Sequence, residues 1–249
     1  MRRGKKTTQT EMKFIDHLKE LRFRLFVSLI AIAIDSVVAF ILYNHIINIL
    51  LFPLRNITSS VTGKTLFLNT IYEGFLVRIK VSFIVGIILS LPVHLYNFIK
   101  FVFPGLKPSE KKIIIYSLWG SFFLIIFSIY YGYFKIIPVS IKFLTSSGFV
   151  PDKVGLILNF NKNVFYVLQF LLVSLLIFQL PLILFLLLYF NLIKRKTVLK
   201  FSRYVIVGIF ILSAIVTPPD VLSQIAFALP LVALFFLVIL LAKIFKLGE

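Results

Sequence analysis

The sequence contains no cysteine. That excludes a disulfide framework and any thiolate metal or redox site. Acids are scarce as well: nine Asp and Glu stand against 27 Lys and Arg, for a formal net charge of +18. No HExxH, no GxSxG and no pair of aspartates within the apolar runs occurs, so the paired reactive groups of an intramembrane enzyme are missing. The chain is therefore expected to be no enzyme and to need no metal and no cofactor. It also lacks internal repeats and low-complexity linkers.

Apolar residues are abundant. They make up 60% of the 249 residues, with a mean hydropathy of +1.03, against roughly 45–50% in soluble globular chains. Six apolar spans stand out, at Leu25–Tyr43, Leu76–Ile99, Ile113–Phe134, Val164–Phe190, Tyr204–Val216 and Val221–Ala242. The predicted fold is an all-α, polytopic membrane bundle of six helices with short fifth and sixth spans. The bilayer core needs roughly 20 helical residues, and Tyr204–Val216 is too short to cross it unaided. The two spans around Thr217–Asp220 are thus expected to thin the lipid locally or to tuck against longer helices. The first span begins some two dozen residues in, is long for a signal-peptide core and lacks a small-x-small cleavage site, so it is expected to remain in the protein.

In a soluble protein the basic excess would point to nucleic acid. Here the cations lie mostly between apolar runs, where they set topology and meet anionic headgroups. The amino-terminal arm, Lys100–Lys112, Lys194–Arg203 and the tail together hold 19 Lys and Arg; the intervening segments hold 8. Both termini are therefore expected on the cytoplasmic side, with longer outer loops at 44–75 and 135–163. The chain reads as a single domain over 1–249: an arm at 1–24 with an amphipathic helix, a bundle at 25–243 and a tail at 244–249.

Two carboxylates draw notice on the predicted cytoplasmic face. Glu20 lies in EMKFIDHLKELRFRLF, whose Phe14, Leu18, Leu21 and Leu25 form a stripe at helical spacing. It is placed for an i,i+4 salt bridge to Arg24. Glu110 lies in FPGLKPSEKK, where Pro108 suits a first helical position and the carboxylate complements the helix dipole. Alternatively, the two carboxylates share one aqueous edge and take a cationic ligand, best a guanidinium, which offers each carboxylate two charge-assisted hydrogen bonds. At the other face, Thr217-Pro218-Pro219-Asp220 reads as a sharp hairpin. Thr217 is expected to cap the last helix, with the prolines in its first turn and Asp220 completing a box-like cap.

The arm FIDHLKELRFRLF, the LLFPL after span one, the FVFPGLKPSEKK loop and RYVIVGIFILSAIVTPPDVLSQ resemble the TatC family, the six-span receptor subunit of the twin-arginine protein translocase. The similarity runs from about residue 11 to 243. It implies a non-enzymatic receptor that binds the paired-arginine signal peptides of folded cargo on the cytoplasmic face and nucleates an export complex supported by the proton-motive force. By their motif positions Glu20 and Glu110 are expected to contact those arginines, with His17, Leu21, Arg22 and Phe101 in the same site. Pro53, Tyr133, Pro138, Asp220 and Gln224 match structural or partner-contact positions. The implied partners are TatA- and TatB-type single-span proteins, further copies of the chain within a hetero-oligomeric complex, and the lipid bilayer, but no nucleic acid. The implied location is a cell inner membrane, or an organellar membrane of the same descent.

The chain departs from the family pattern at three positions. Gln179 stands where many members carry a mid-membrane glutamate; it keeps hydrogen-bonding capacity but cannot titrate. Phe236 replaces an acid found in some members. Asp35 lies in the middle of span one, where the family is usually apolar or small. An intramembrane carboxylate marks a functional site by default, and Asp35 could offer a polar partner to a TatA-type helix; otherwise it is a protonated or Ser36-supported aspartate facing the bundle interior. His94 reads as a satisfied interior or interfacial histidine. A six-span ion-coupled transporter using Asp35 and Gln179 is the alternative, with the lack of two related halves against it.

Overall fold

A computed structural model describes residues 4–54, 66–102, 111–146, 148–150 and 157–248. Lipid offers the backbone no hydrogen bonds, so long apolar runs satisfy their amides internally as helix. Those helices are α1 (Gly4–Ile41), α2 (Tyr43–Leu51), α3 (Glu73–Val102), α4 (Lys111–Tyr131), α5 (Ile137–Leu144), α6 (Phe160–Ile177), α7 (Leu180–Tyr189), α8 (Arg195–Lys200), α9 (Ser202–Val216) and α10 (Val221–Ile244). Among the described residues no strand forms; one isolated bridge pairs Phe67 with Asn159.

The arm and the first span are one continuous helix, because no glycine or proline interrupts the sequence from Lys5 to Ile41. Span three is longer than its apolar run. Helix continues from α4 through a π-helical turn at Gly132–Ile136 into α5, so the outer loop expected at 135–163 is helical as far as Leu144. Pro138, near the start of α5, lacks an amide hydrogen and crowds the preceding turn. A wider π turn just before it relieves that crowding. The loop expected at 44–75 likewise starts as helix: α2 and a 3-10 turn at Phe52–Leu54 bury Leu50, Pro53 and Leu54.

The fifth span, α9, is short as expected, with 15 residues spanning about 22 Å. The sixth is not: α10 runs for 24 residues, with Pro230 accommodated inside it. The short helix tucks against this long neighbour. Gln224 Nε2 donates to the Phe210 carbonyl at 3.2 Å and ties the two together. The turn between them also differs from expectation. Asp220 is the N-cap, accepting from Ser223 N, and helix begins only at Val221. Thr217 instead ends α9, its Oγ1 donating to the Ser213 carbonyl at 2.9 Å. Both prolines therefore precede the helix, where neither an amide hydrogen nor a helical partner is required of them.

Span four is the centre of the bundle. Its most apolar window is 56% buried, against 6% for the first span. Pro181 breaks it into α6 and α7 at Phe178-Gln179. Phe227 of α10 packs edge-on against Phe170 and Phe178, with ring centroids 5.8 and 5.6 Å apart. Such contacts matter more here than in water, because lipid tails are as apolar as the helices and only close packing favours association.

The first span leans almost wholly on α3, and the crossing is very tight at Gly86. A Cβ built there would lie 2.2 Å from Ser36 Oγ and 2.7 Å from Ser36 N. Gly86→Leu is therefore expected to force α1 and α3 apart. With cysteines at Ser28 and Asn97, whose side chains hydrogen-bond at 3.0 Å, disulfide crosslinking should fall several-fold in the leucine variant. Undiminished crosslinking would show that the helices can slide to absorb the side chain.

Candidate functional site

The amino-terminal half of α1 and the carboxyl end of α3 meet at one edge of the bundle. His17 of α1 stacks on Phe101 of α3, with ring centroids 4.4 Å apart and planes inclined by 14°. The two residues, 84 positions apart, thus pin the arm to the segment where the loop carrying Glu110 begins. Glu110 and Pro108 lie outside the described residues.

One helical turn from His17, Glu20 receives Arg24: Nε donates to Oε1 at 3.1 Å, and Nη2 donates to the same oxygen. The i,i+4 pair expected from the sequence is formed. It occupies one carboxylate oxygen and leaves Oε2 without a hydrogen bond among the described residues. The Glu20 side chain keeps 34% of its surface exposed and Arg24 only 18%. The carboxylate can therefore accept from a second cation while Arg24 stays in place. Leu21 is half-buried and Arg22 exposed on the same turn. Near the same edge Lys100 Nζ sits 4.8 Å from the centre of the Tyr96 ring.

Stacked aromatic pairs contribute about 0.5–1.5 kcal/mol beyond burial. Removing the imidazole with His17→Ala should loosen the arm, raising its rate of limited proteolysis roughly five-fold per kcal/mol lost. A cleavage rate equal to that of the parent chain would remove the stack from the list of arm restraints.

The remaining sequence-derived positions fall in separate places. Asp220 is buried at the amino end of α10 and accepts from Ser223 N at 2.6 Å, from Ser223 Oγ and from Ser140 Oγ of α5 at 2.9 Å. Tyr133, in the π turn, donates from Oη to the Ile49 carbonyl of α2. With buried Pro53 and half-buried Pro138, these residues fasten one end of the bundle. Gln179 is 3% exposed at the α6–α7 break, and neither its Nε2 nor its Oε1 has a partner among the described residues. Asp35 is half-exposed on α1. Ser36 does not support it in the described structure: Ser36 Oγ is buried without a partner, pressed against the Gly86 backbone. His94 has Ser90 Oγ as its partner at 2.8 Å.

Two clamps escape a linear reading. Arg78 Nη2 donates to the Phe40 carbonyl at 3.1 Å, and its guanidinium lies 4.2 Å from the centre of the Phe40 ring. Glu73 is buried, accepting from Asn69 N and from Asn159 Nδ2, the latter at 3.2 Å. A charge at a span boundary was the available signal in both cases; the partners, 38 and 86 residues away, had none.

Comparison with known proteins gives consistent results. A family model described as Sec-independent protein translocase protein (TatC) matches residues 16–230. Over 236 residues the chain is 34% identical to the Sec-independent protein translocase protein TatC of Carboxydothermus hydrogenoformans, covering 94% of each chain. Over 233 residues it is 33% identical to the Aquifex aeolicus protein of the same name, covering 94% of this chain and 95% of that one. Among solved structures, the twin arginine translocase receptor TatC in DDM superposes with a TM-score of 0.79 at 32% identity, over 94% of this chain and 99% of that one. A second structure of such a receptor gives 0.77 at 33% identity, over 92% and 98%.

Proposed function

Because this chain belongs to the TatC family of Sec-independent protein translocase proteins, we propose that it is the translocase component that receives paired-arginine signal peptides. It is a multi-pass membrane protein of a non-enzymatic family. In the proposed reading the chain lies in a cell inner membrane as a single unit with both termini cytoplasmic, as the skew of Lys and Arg supports. Two guanidiniums of the signal peptide engage Glu20 and Glu110, while its apolar segment lies along or between spans. His17, Leu21, Arg22 and Phe101 shape that edge. The peptide-bound receptor, in several copies, recruits TatA- and TatB-type single-span partners, and the proton-motive force drives transport.

The observation that carries this reading is the stack of His17 on Phe101. It holds Glu20, with one carboxylate oxygen unoccupied among the described residues, beside the carboxyl end of α3, after which the chain runs on toward Glu110. A guanidinium can use such an oxygen bidentately with its neighbours; an ammonium cannot.

The test is site-specific crosslinking, in membranes, from a signal peptide bearing paired arginines. The expected result is a crosslink to the arm and the first cytoplasmic loop that is lost with a paired-lysine peptide and with charge reversal at Glu20 or Glu110. Crosslinking indifferent to all three changes would remove the assigned site.

A further inference from the structure

Between α4, α7 and α10 runs an apolar groove with a volume of about 710 Å³. Small residues open it. Ser117 and Gly120 keep the α4 wall low, and a Cβ built on Gly120 would sit 3.5 Å from Leu182 Cδ1 of α7. Pro181, at the break in span four, stands at its inner end.

The depth of the groove matches one leaflet of a bilayer. Its lining runs from Ile113 to Leu124 on α4 and from Leu234 to Phe245 on α10, in each case about 16 Å of helix. Half of a hydrocarbon core roughly 30 Å thick is about 15 Å. A spanning helix would need a groove twice as long, whereas an acyl chain needs no more. At about 30 Å³ for each water-sized group, the volume holds one acyl chain and part of a second.

The other end opens among cations. Lys112 is exposed and immediately precedes Ile113. Lys246 is exposed as well, and lies between Phe245 and Leu247, which both line the groove. Its φ of +54° is a backbone conformation that helix ends usually give to glycine. Three hydrogen bonds hold the chain there. Leu247 N donates to the Ala242 carbonyl at 2.8 Å, Arg195 N to the Gly248 carbonyl at 2.7 Å, and Gly248 N to Asn191 Oδ1 at 3.1 Å. The tail is thus fastened as a lip of the groove, with the lysine at its mouth. Helices α4, α7, α8 and α10 contain no acid; Glu110 and Glu249 lie outside the described residues.

We propose that this groove is a binding site for an anionic phospholipid. The lipid lays an acyl chain along α4 from Ser117 to Leu124 and sets its phosphate at Lys112 and Lys246. In a bilayer any neighbouring lipid can fill the apolar walls, so the lysines supply the selection. A zwitterionic headgroup leaves both ammonium groups without a counterion; an anionic one neutralises them. Basic residues at the membrane surface attract anionic lipid by roughly five-fold each. Neither lysine is assigned to the signal peptide, so the proposal stands apart from the receptor reading.

The experiment uses the full chain carrying Phe123→Trp and Trp119→Phe, in nanodiscs of mixed phosphatidylcholine and phosphatidylglycerol. Phe123 lines the groove and Trp119 is the single tryptophan of the chain. Brominating the chains of one lipid or the other then reports, by quenching, which of them lies in the groove. Phosphatidylglycerol is expected to be preferred by roughly five-fold or more. Lys112→Gln with Lys246→Gln should bring the preference close to unity without reducing total quenching, and arginine at both positions should retain it. Native mass spectrometry of the parent chain, released from the same mixture, should keep one phosphatidylglycerol bound. Equal quenching by both lipids with the lysines intact would leave the groove to unselected bilayer lipid. Quenching by neither would mean that a protein segment covers it, and a preference surviving the glutamine changes would place the headgroup elsewhere. Each of these three results overturns the proposal.

Discussion

Charge reversal at Glu20 is expected to weaken binding of a paired-arginine signal peptide by roughly 30- to 150-fold, about 2–3 kcal/mol. Hydrogen bonds to charged groups are worth about 1.5–3 kcal/mol where water is displaced. Glu20 keeps a third of its side-chain surface in water, which screens the interaction and holds the expectation well below that of a fully buried pair. Glu20→Lys also removes the ion pair to Arg24 and sets a like charge beside it, but i,i+4 charge pairs of either sign are worth only a few tenths of a kcal/mol on a helix. Loss of binding should therefore far exceed loss of stability. Titrating a labelled peptide into receptor in nanodiscs at two salt concentrations checks this. An affinity within three-fold of the parent would exclude Glu20 as a contact, whereas a matching loss in Glu20→Gln would assign the effect to the carboxylate and not to the new cation.

The second large effect is expected at the opposite end of the bundle and on stability. Asp220→Ala removes the N-cap of α10 together with the acceptor for Ser140 and Ser223. Loss of a cap costs about 1 kcal/mol, and each buried donor left without an acceptor costs about 1–3 kcal/mol more. A total of about 3–5 kcal/mol corresponds to a fall in Tm of roughly 10 °C for a chain of this size. Asp220→Asn keeps an acceptor oxygen for Ser223 N and should lose less than half as much. Ser140→Ala in the Asp220→Ala background should add almost nothing, because its orphaned hydroxyl is then gone as well. Thermal unfolding of the four chains in detergent gives the answer. Equal midpoints for the parent and Asp220→Ala would mean that the carboxylate is not the acceptor that fastens α5 to α10.

Much of this was legible along the chain. The first four spans and the short α9 follow from hydropathy, whereas the sixth, expected to be short, runs for 24 residues; the Glu20–Arg24 pair follows from helical spacing alone. The ends of elements were less legible. Polar or aromatic residues such as Tyr133 and Lys135 look like the end of a span, yet the helix continues through a π turn because α5 and α2 bury their apolar faces in the core. The turn before α10 was misread by three residues, since Thr217 and Asp220 are both competent caps. Ser140, 80 residues earlier, also binds Asp220 and helps select it.

The sequence by itself determined which stretches become helix in lipid, since an unpaired backbone cannot persist there, and which family the chain resembles, since the motifs are contiguous. Only the tertiary structure decided which side chains meet: His17 with Phe101, Asp220 with Ser140, Glu73 with Asn159. Those meetings depend on how closely two helices approach and at what register. That is set by small residues such as Gly86, whose neighbour across the interface lies 50 positions away in the chain.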